Sequence, residues 1–103
     1  MLENLFSMQD KVCVVTGGLG AFMAQGFLQA GAKRVYITAR KAQACLDAAQ
    51  ELSQFGDCVA LVGDVATSEG VMDLVKQLTE REQHIDVLVN NAGTAWGAPF
   101  GQF

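Results

Sequence analysis

The segment from Lys11 to Ala32 constrains the fold of this chain more than any other segment. A short apolar run, Val12 to Val15, is followed after one threonine by a turn with three glycines: Gly17, Gly18 and Gly20. Apolar side chains then recur at helical spacing until Gly31, which can end a helix. The pattern predicts a buried strand, a tight turn and a helix. Such a turn can bind a phosphate group, because its N–H groups and the positive end of the helix converge on one place.

The rest of the chain repeats this alternation. With the first strand at 11–16 and the first helix at about 20–30, further strands are predicted at 34–39, 58–62 and 85–89. Helices are predicted at about 41–55 and from Thr67 or Ser68 onward, the second with an apolar stripe of Val71, Leu74, Val75 and Leu78. Short connections predict parallel strands with right-handed crossovers. We therefore expect an α/β fold with a doubly wound, Rossmann-like parallel sheet, βαβαβαβ, in the strand order 3-2-1-4. Residues 1–10 are expected to be an irregular lead-in, and residues 11–103 a partial dinucleotide-binding domain truncated after the fourth strand.

Composition excludes several classes of protein. The chain has 103 residues, half of them hydrophobic, and a formal net charge of −4, which argues against a nucleic-acid partner. The apolar runs are too short to span a bilayer, and the first ten residues lack the basic region of a secretory signal, so a cytoplasmic location is expected. Cys13, Cys45 and Cys58 lack metal-ligand spacing and are expected in the core, and His84 is expected to be solvated.

Four motifs at matching intervals carry a family resemblance: the glycine turn, Val35 to Arg40, Asp64-Val65, and Asn90-Asn91-Ala92-Gly93. Together they resemble the short-chain dehydrogenase/reductase family, which binds NAD(H) or NADP(H), from Lys11 onward. Residues 94–98 are similar to its β-ketoacyl reductase branch. The resemblance implies that the cofactor-binding residues include Gly17, Gly18, Gly20, Asp64, Val65, Asn90, Ala92 and Gly93. Asp64 would accept a hydrogen bond from the adenine amino group and Val65 would pack by the ring. From the residues alone, Asp64 could equally be a turn or capping aspartate.

The segment after the second strand favours NADP(H) over NAD(H). Many dinucleotide folds place an acidic side chain there for the ribose hydroxyls, but this chain has Ala39. Arg40 offers a planar donor fork suited to a 2′-phosphate, and Lys41 can assist. The alternative is that Arg40 is a solvated residue at a helix start.

The glycine turn departs from the family pattern T-G-x-x-x-G-x-G. The spacing from Gly20 to Gly31 identifies Gly20 as the last glycine of the pattern, so the turn lacks about three residues, including the middle glycine. Cofactor binding through this turn is therefore expected to be weak.

No catalytic residue is expected in this chain. The family uses a Tyr-x-x-x-Lys pair, whereas the single tyrosine, Tyr36, lies in the second strand and is followed at that spacing by Arg40. The leading interpretation is the cofactor-binding portion of an NADP(H)-dependent oxidoreductase, acting on a small carbonyl or alcohol substrate in a complete protein whose relatives are homo-oligomers. This chain alone is expected to be inactive. Two alternatives remain open: a non-catalytic dinucleotide-binding or regulatory module, and a truncated product without a ligand.

Overall fold

The computed structural model describes residues 8–16 and 20–90. In chain order, these residues form β1 (Val12–Thr16), α1 (Gly20–Gln29), β2 (Arg34–Ala39), α2 (Ala42–Leu52), β3 (Cys58–Val62), α3 (Ser68–Arg81) and β4 (Val87–Asn90). The alternation of strand and helix confirms the α/β class. Within the described residues, none of the helices is long and apolar enough to cross a membrane.

The four strands form one parallel sheet in the order β3-β2-β1-β4, as predicted. Val14 of β1 lies between Tyr36 of β2 and Leu88 of β4, so β1 is a central strand. All five β1 residues are buried, which explains why its sequence is apolar without alternation.

The core has two parts, one on each face of the sheet. On one face, Cys13 and Val15 of β1 pack with residues of α1 and α2, including Leu28 and Leu52. On the other face, Val12 and Val14 pack with Tyr36, Leu61 and the α3 residue Leu74. Successive strand side chains point to opposite faces, so a single strand contributes to both clusters.

Two sequence expectations differ from the structure at element boundaries. Helix α2 ends at Leu52 rather than Phe55, because the following residues form a turn in which Phe55 N–H donates to Leu52 C=O. Strand β4 begins at Val87 rather than Ile85. The preceding Asp86 bonds to Val12 twice: its side chain accepts the Val12 N–H at 2.8 Å, and its own N–H donates to the Val12 carbonyl oxygen at 2.9 Å.

Helix α3 shows the largest difference in packing. Thr67, rather than Ser68, is its N-cap and accepts a hydrogen bond from Gly70 N–H at 2.9 Å. Of the predicted apolar stripe, only Leu74 is buried, and Val75 is 37% exposed. The stripe lies over a cavity of about 300 Å³ between α3 and the sheet, so its side chains are only partly covered.

Candidate functional site

The carboxyl ends of the four strands lie along one edge of the sheet, where the predicted binding residues follow them. Thr16 ends β1 and Asn90 ends β4, while Asp64 follows β3 and Arg40 follows β2. The chain continues from β1 to β2 on one side, and β4 returns to the other side of β1. This reversal of strand order is where open α/β sheets bind ligands.

The start of α1 lies close to this edge, because only three residues separate Thr16 from Gly20. The first turn of α1 contains no acidic residue, so its partial positive charge is not neutralised by its own side chains. Gly20 opens the helix as predicted, while Gly17 and Gly18 lie outside the described residues.

Arg40 and Lys41 are exposed cations at the end of β2. Neither forms an ion pair within residues 8–16 and 20–90. Lys41 is the N-cap of α2, which also has no acidic residue in its first turn. Two cations without local carboxylate partners can bind an anionic group at this edge.

Asp64 is a turn residue in this structure. Its Oδ1 accepts a hydrogen bond from Ala66 N–H at 2.8 Å, and its carbonyl oxygen accepts one from Thr67 at 3.5 Å. The turn places Val65 half-buried against the apolar cluster that contains Leu74. Asp64 therefore shapes this loop through hydrogen bonds to its own neighbours. Its other carboxylate oxygen, Oδ2, accepts no hydrogen bond from the described part of the chain.

Asn90 is tied to β1 by a side-chain hydrogen bond. Thr16 donates its hydroxyl to Asn90 Oδ1 at 3.0 Å and approaches the Val89 carbonyl oxygen at 3.4 Å. The contact fixes the ends of β1 and β4 next to each other. Ala92 and Gly93 lie outside the described residues, so their predicted roles stay predictions.

Two threonines at this edge were missed by sequence reasoning. Thr16 and Thr38 are register partners on β1 and β2, both are 3% exposed, and both line the cavity beneath α3. Val65 lines the same cavity. The available signal was the matching position of two polar residues near the ends of otherwise apolar strands.

Tyr36 is separated from this edge, as its position in the second strand predicted. It is 1% exposed, and its hydroxyl donates to Glu82 Oε2 at 2.5 Å, just beyond the C-terminal end of α3. Burial raises the pKa of the Tyr36 phenol above its usual value, and the hydrogen bond to Glu82 adds to this shift. A buried phenol with a raised pKa is poorly suited to act as a general acid or base near neutral pH.

The cysteines and His84 offer no alternative chemistry. All three cysteines are buried free thiols, as expected, and burial raises the pKa of Cys13 and of Cys58 to about 11. His84 is 71% exposed and lies 3.6 Å from Asp86. In the described parts of the chain, no group of three or more histidine, cysteine, aspartate or glutamate side chains could hold a metal ion.

Comparisons with known proteins agree with this arrangement. A family model described as short chain dehydrogenase matches residues 11–103. The rhamnolipids biosynthesis 3-oxoacyl-(acyl-carrier-protein) reductase of Pseudomonas aeruginosa is 48% identical over 100 residues, which cover 94% of this chain and 39% of that protein.

Two solved structures show the same fold. The Pseudomonas aeruginosa RhlG/NADP active-site complex has a TM-score of 0.81 at 46% identity, covering 86% of this chain and 37% of that one. The NAD+-bound xylitol dehydrogenase has a TM-score of 0.76 at 27% identity, covering 84% of this chain and 35% of that one. The chain spans well under half of the length of each of these relatives. The motifs, the strand order and the family match together show that the chain belongs to the short chain dehydrogenase family.

Proposed function

We propose that this chain is the cofactor-binding portion of an NADP(H)-dependent oxidoreductase. When bound, NADP(H) supplies or accepts a hydride, which the complete protein would exchange with a carbonyl or alcohol carbon of a small-molecule substrate. The observation that carries the proposal is the exposed Arg40 at the carboxyl end of β2, without an ion-pair partner in residues 8–16 and 20–90.

The described residues fit the adenosine half of such a cofactor. Ala39 packs against the core and offers no carboxylate to a ribose, whereas Arg40 and Lys41 offer positive charge to a 2′-phosphate. Asp64 and Val65 would bind the adenine ring. The solved relatives include both an NADP complex and an NAD+ complex, so the preference for NADP(H) depends on Arg40 and Ala39 rather than on family membership.

The remaining predicted residues would bind the pyrophosphate and nicotinamide portions. Gly17, Gly18 and Gly20 would face the pyrophosphate at the start of α1. Asn90, Ala92 and Gly93 would extend from β4 toward the nicotinamide. The Thr16–Asn90 hydrogen bond supports this assignment, because it holds the end of β4 beside the turn that follows β1.

Residues 11–103 would form part of a larger dinucleotide-binding domain that assembles into a cytoplasmic homo-oligomer, without nucleic-acid or membrane partners. This chain alone would be inactive, since the family's Tyr-x-x-x-Lys pair does not occur in it.

A titration with NADPH and NADH, followed by NMR on the isotope-labelled chain, tests the cofactor preference. We expect tighter binding of NADPH, and Arg40→Ala should narrow the preference by about one to two decades, the equivalent of a charge-assisted contact worth about 1.5–3 kcal/mol. Arg81→Ala, at an exposed arginine on α3, is the control and should leave the preference unchanged. Equal affinity of the parent chain for the two cofactors would refute the assignment.

A further inference from the structure

Helix α3 belongs to a segment, residues 64–85, whose two flanking residues are fixed to the sheet. Before the segment, Gly63 N–H donates to the Ala39 carbonyl oxygen at 3.0 Å. After it, Asp86 bonds to Val12 through its side chain and through its backbone N–H, at 2.8 and 2.9 Å. Both flanks can therefore stay with the sheet if α3 itself moves.

Between these two attachments, α3 packs loosely on the sheet. Leu74 is the single buried residue of its 14, whereas the 11-residue α2 buries Cys45, Ala49 and Leu52. The cavity of about 300 Å³ lies between α3 and the sheet, so apolar side chains that line it, such as Val75, lack packing contacts on one side. Segments that bury so little apolar surface can open without unfolding of the whole domain.

Two hydrogen bonds join residues 64–85 to the rest of the described chain, and both end on Glu82 Oε2. This oxygen accepts from the Tyr36 hydroxyl and from Arg34 Nη1, each at 2.5 Å. The Glu82 side chain is 8% exposed, and Arg34 also donates to Asp57 at 2.7 Å. Because a carboxylate shielded from water forms strong hydrogen bonds, a large part of the attachment of α3 is concentrated on this one side chain.

We propose that residues 64–85 undock from the sheet as a unit while the rest of the domain stays folded, and that the hydrogen bonds of Glu82 hold the segment in its docked state. Opening would expose the apolar sheet face beneath α3. It would also move Asp64 and Val65 away from the carboxyl edge of the sheet. The inference goes beyond the proposed function and needs no ligand, so failure of the cofactor assignment would leave it standing.

Amide hydrogen exchange tests this opening on the full 103-residue chain, measured by NMR at increasing urea concentrations below the unfolding transition. We expect the interior amides of α3 to exchange faster than those of β1 and β2. They should share one urea dependence, smaller than that of the strands, because undocking exposes less surface than global unfolding.

Glu82→Ala should speed exchange of the α3 amides about tenfold, since opening of this variant no longer breaks the two hydrogen bonds. Glu80→Ala, at an exposed position near the end of the same helix, is the matched control and should leave these rates unchanged. An unchanged α3 exchange rate in Glu82→Ala, or an equal acceleration in Glu80→Ala, would overturn the assignment of the attachment to Glu82.

A substitution on the opposite face of the sheet separates undocking of α3 from unfolding of the domain. Ile37 of β2 is 7% exposed and lies in the core cluster on the side of α1 and α2. Ile37→Val should therefore speed exchange of the β1 and β2 amides about fivefold and leave the α3 amides unchanged.

Three results would show that the segment does not open as a unit. If Ile37→Val speeds the α3 amides as much as the strand amides, or if both sets share one urea dependence in the parent chain, α3 opens only on global unfolding. If exchange of the α3 amides does not depend on urea, the openings are fluctuations of single residues rather than undocking of a segment.

Discussion

Tyr36 donates a hydrogen bond from its phenolic hydroxyl to Glu82 Oε2 at 2.5 Å, which joins β2 to the residue that directly follows α3. Arg34 Nη1 donates to the same oxygen at 2.5 Å, and Arg34 Nε donates to Asp57 at 2.7 Å. The Glu82 side chain is only 8% exposed. Since Leu74 is the single buried residue of α3, this cluster is a principal attachment of the helix to the sheet.

Removing the shared acceptor, Glu82, should lower the free energy of unfolding by more than removing one of its donors, Tyr36. Glu82→Ala leaves the buried Tyr36 hydroxyl without its acceptor, so the free energy of unfolding should fall by about 1–3 kcal/mol. Tyr36→Phe removes one hydrogen bond and should cost about 1 kcal/mol. Urea unfolding measures both. Glu80→Ala, at an exposed position of the same helix, should change stability by no more than about 0.5 kcal/mol, and an equal loss there would contradict the role of Glu82.

The same cluster should make stability depend on acidic pH. Burial alone would raise the pKa of Glu82, but hydrogen bonds from Tyr36 and Arg34 outweigh it and hold this pKa below its usual value. A carboxyl group with a lowered pKa in the folded state contributes stability above its unfolded pKa, about 4.3, and this contribution is lost as the pH falls through the folded value.

We therefore expect the stability difference between the parent and Glu82→Gln to be constant from about pH 7 to about pH 5, and to shrink below about pH 4.3. Urea unfolding of the two proteins at matched pH values measures this difference. A difference that stays constant through the acidic range would show that the Glu82 charge contributes nothing to folding.

Two glycines in helices should respond to alanine in opposite ways. A Cβ atom at Gly70 would collide with the Asp64 carbonyl oxygen and lie 2.9 Å from Thr67 Oγ1, so Gly70→Ala should destabilise the chain by about 1–3 kcal/mol. Gly26 is exposed in α1, and a Cβ there meets no atom within 4 Å among the described residues. Gly26→Ala should stabilise by about 0.5–1 kcal/mol through helix propensity.

Urea midpoints compare these two variants directly, and NMR shifts at residues 64–67 report whether Gly70→Ala displaces the loop of Asp64. If both alanines stabilise the chain to the same degree, the close approach of Asp64 to α3 is wrong.

Sequence periodicity was sufficient for the order of elements and the topology, because each strand is apolar and each connection is short. The Tyr36–Glu82 and Thr16–Asn90 hydrogen bonds could not be predicted, since each joins residues far apart in the chain through side-chain geometry. The partial exposure of α3 was missed for a related reason. Helical spacing shows which side chains share a face, but not whether that face is covered.

The glycine turn connects β1 to α1 with only three residues. A pyrophosphate site needs several N–H groups that converge on one anion, and a turn about three residues shorter than the family pattern supplies fewer of them. We expect the parent chain to bind NADPH at about millimolar strength or weaker.

Inserting Ser-Ser-Gly between Gly18 and Leu19 restores the T-G-x-x-x-G-x-G spacing, and it should tighten NADPH binding at least tenfold, about 1.4 kcal/mol. Binding of adenosine 2′-monophosphate, which lacks the pyrophosphate, should not change and serves as the control. If the insertion leaves NADPH affinity unchanged while the chain remains folded, Gly20 is not the last glycine of the motif.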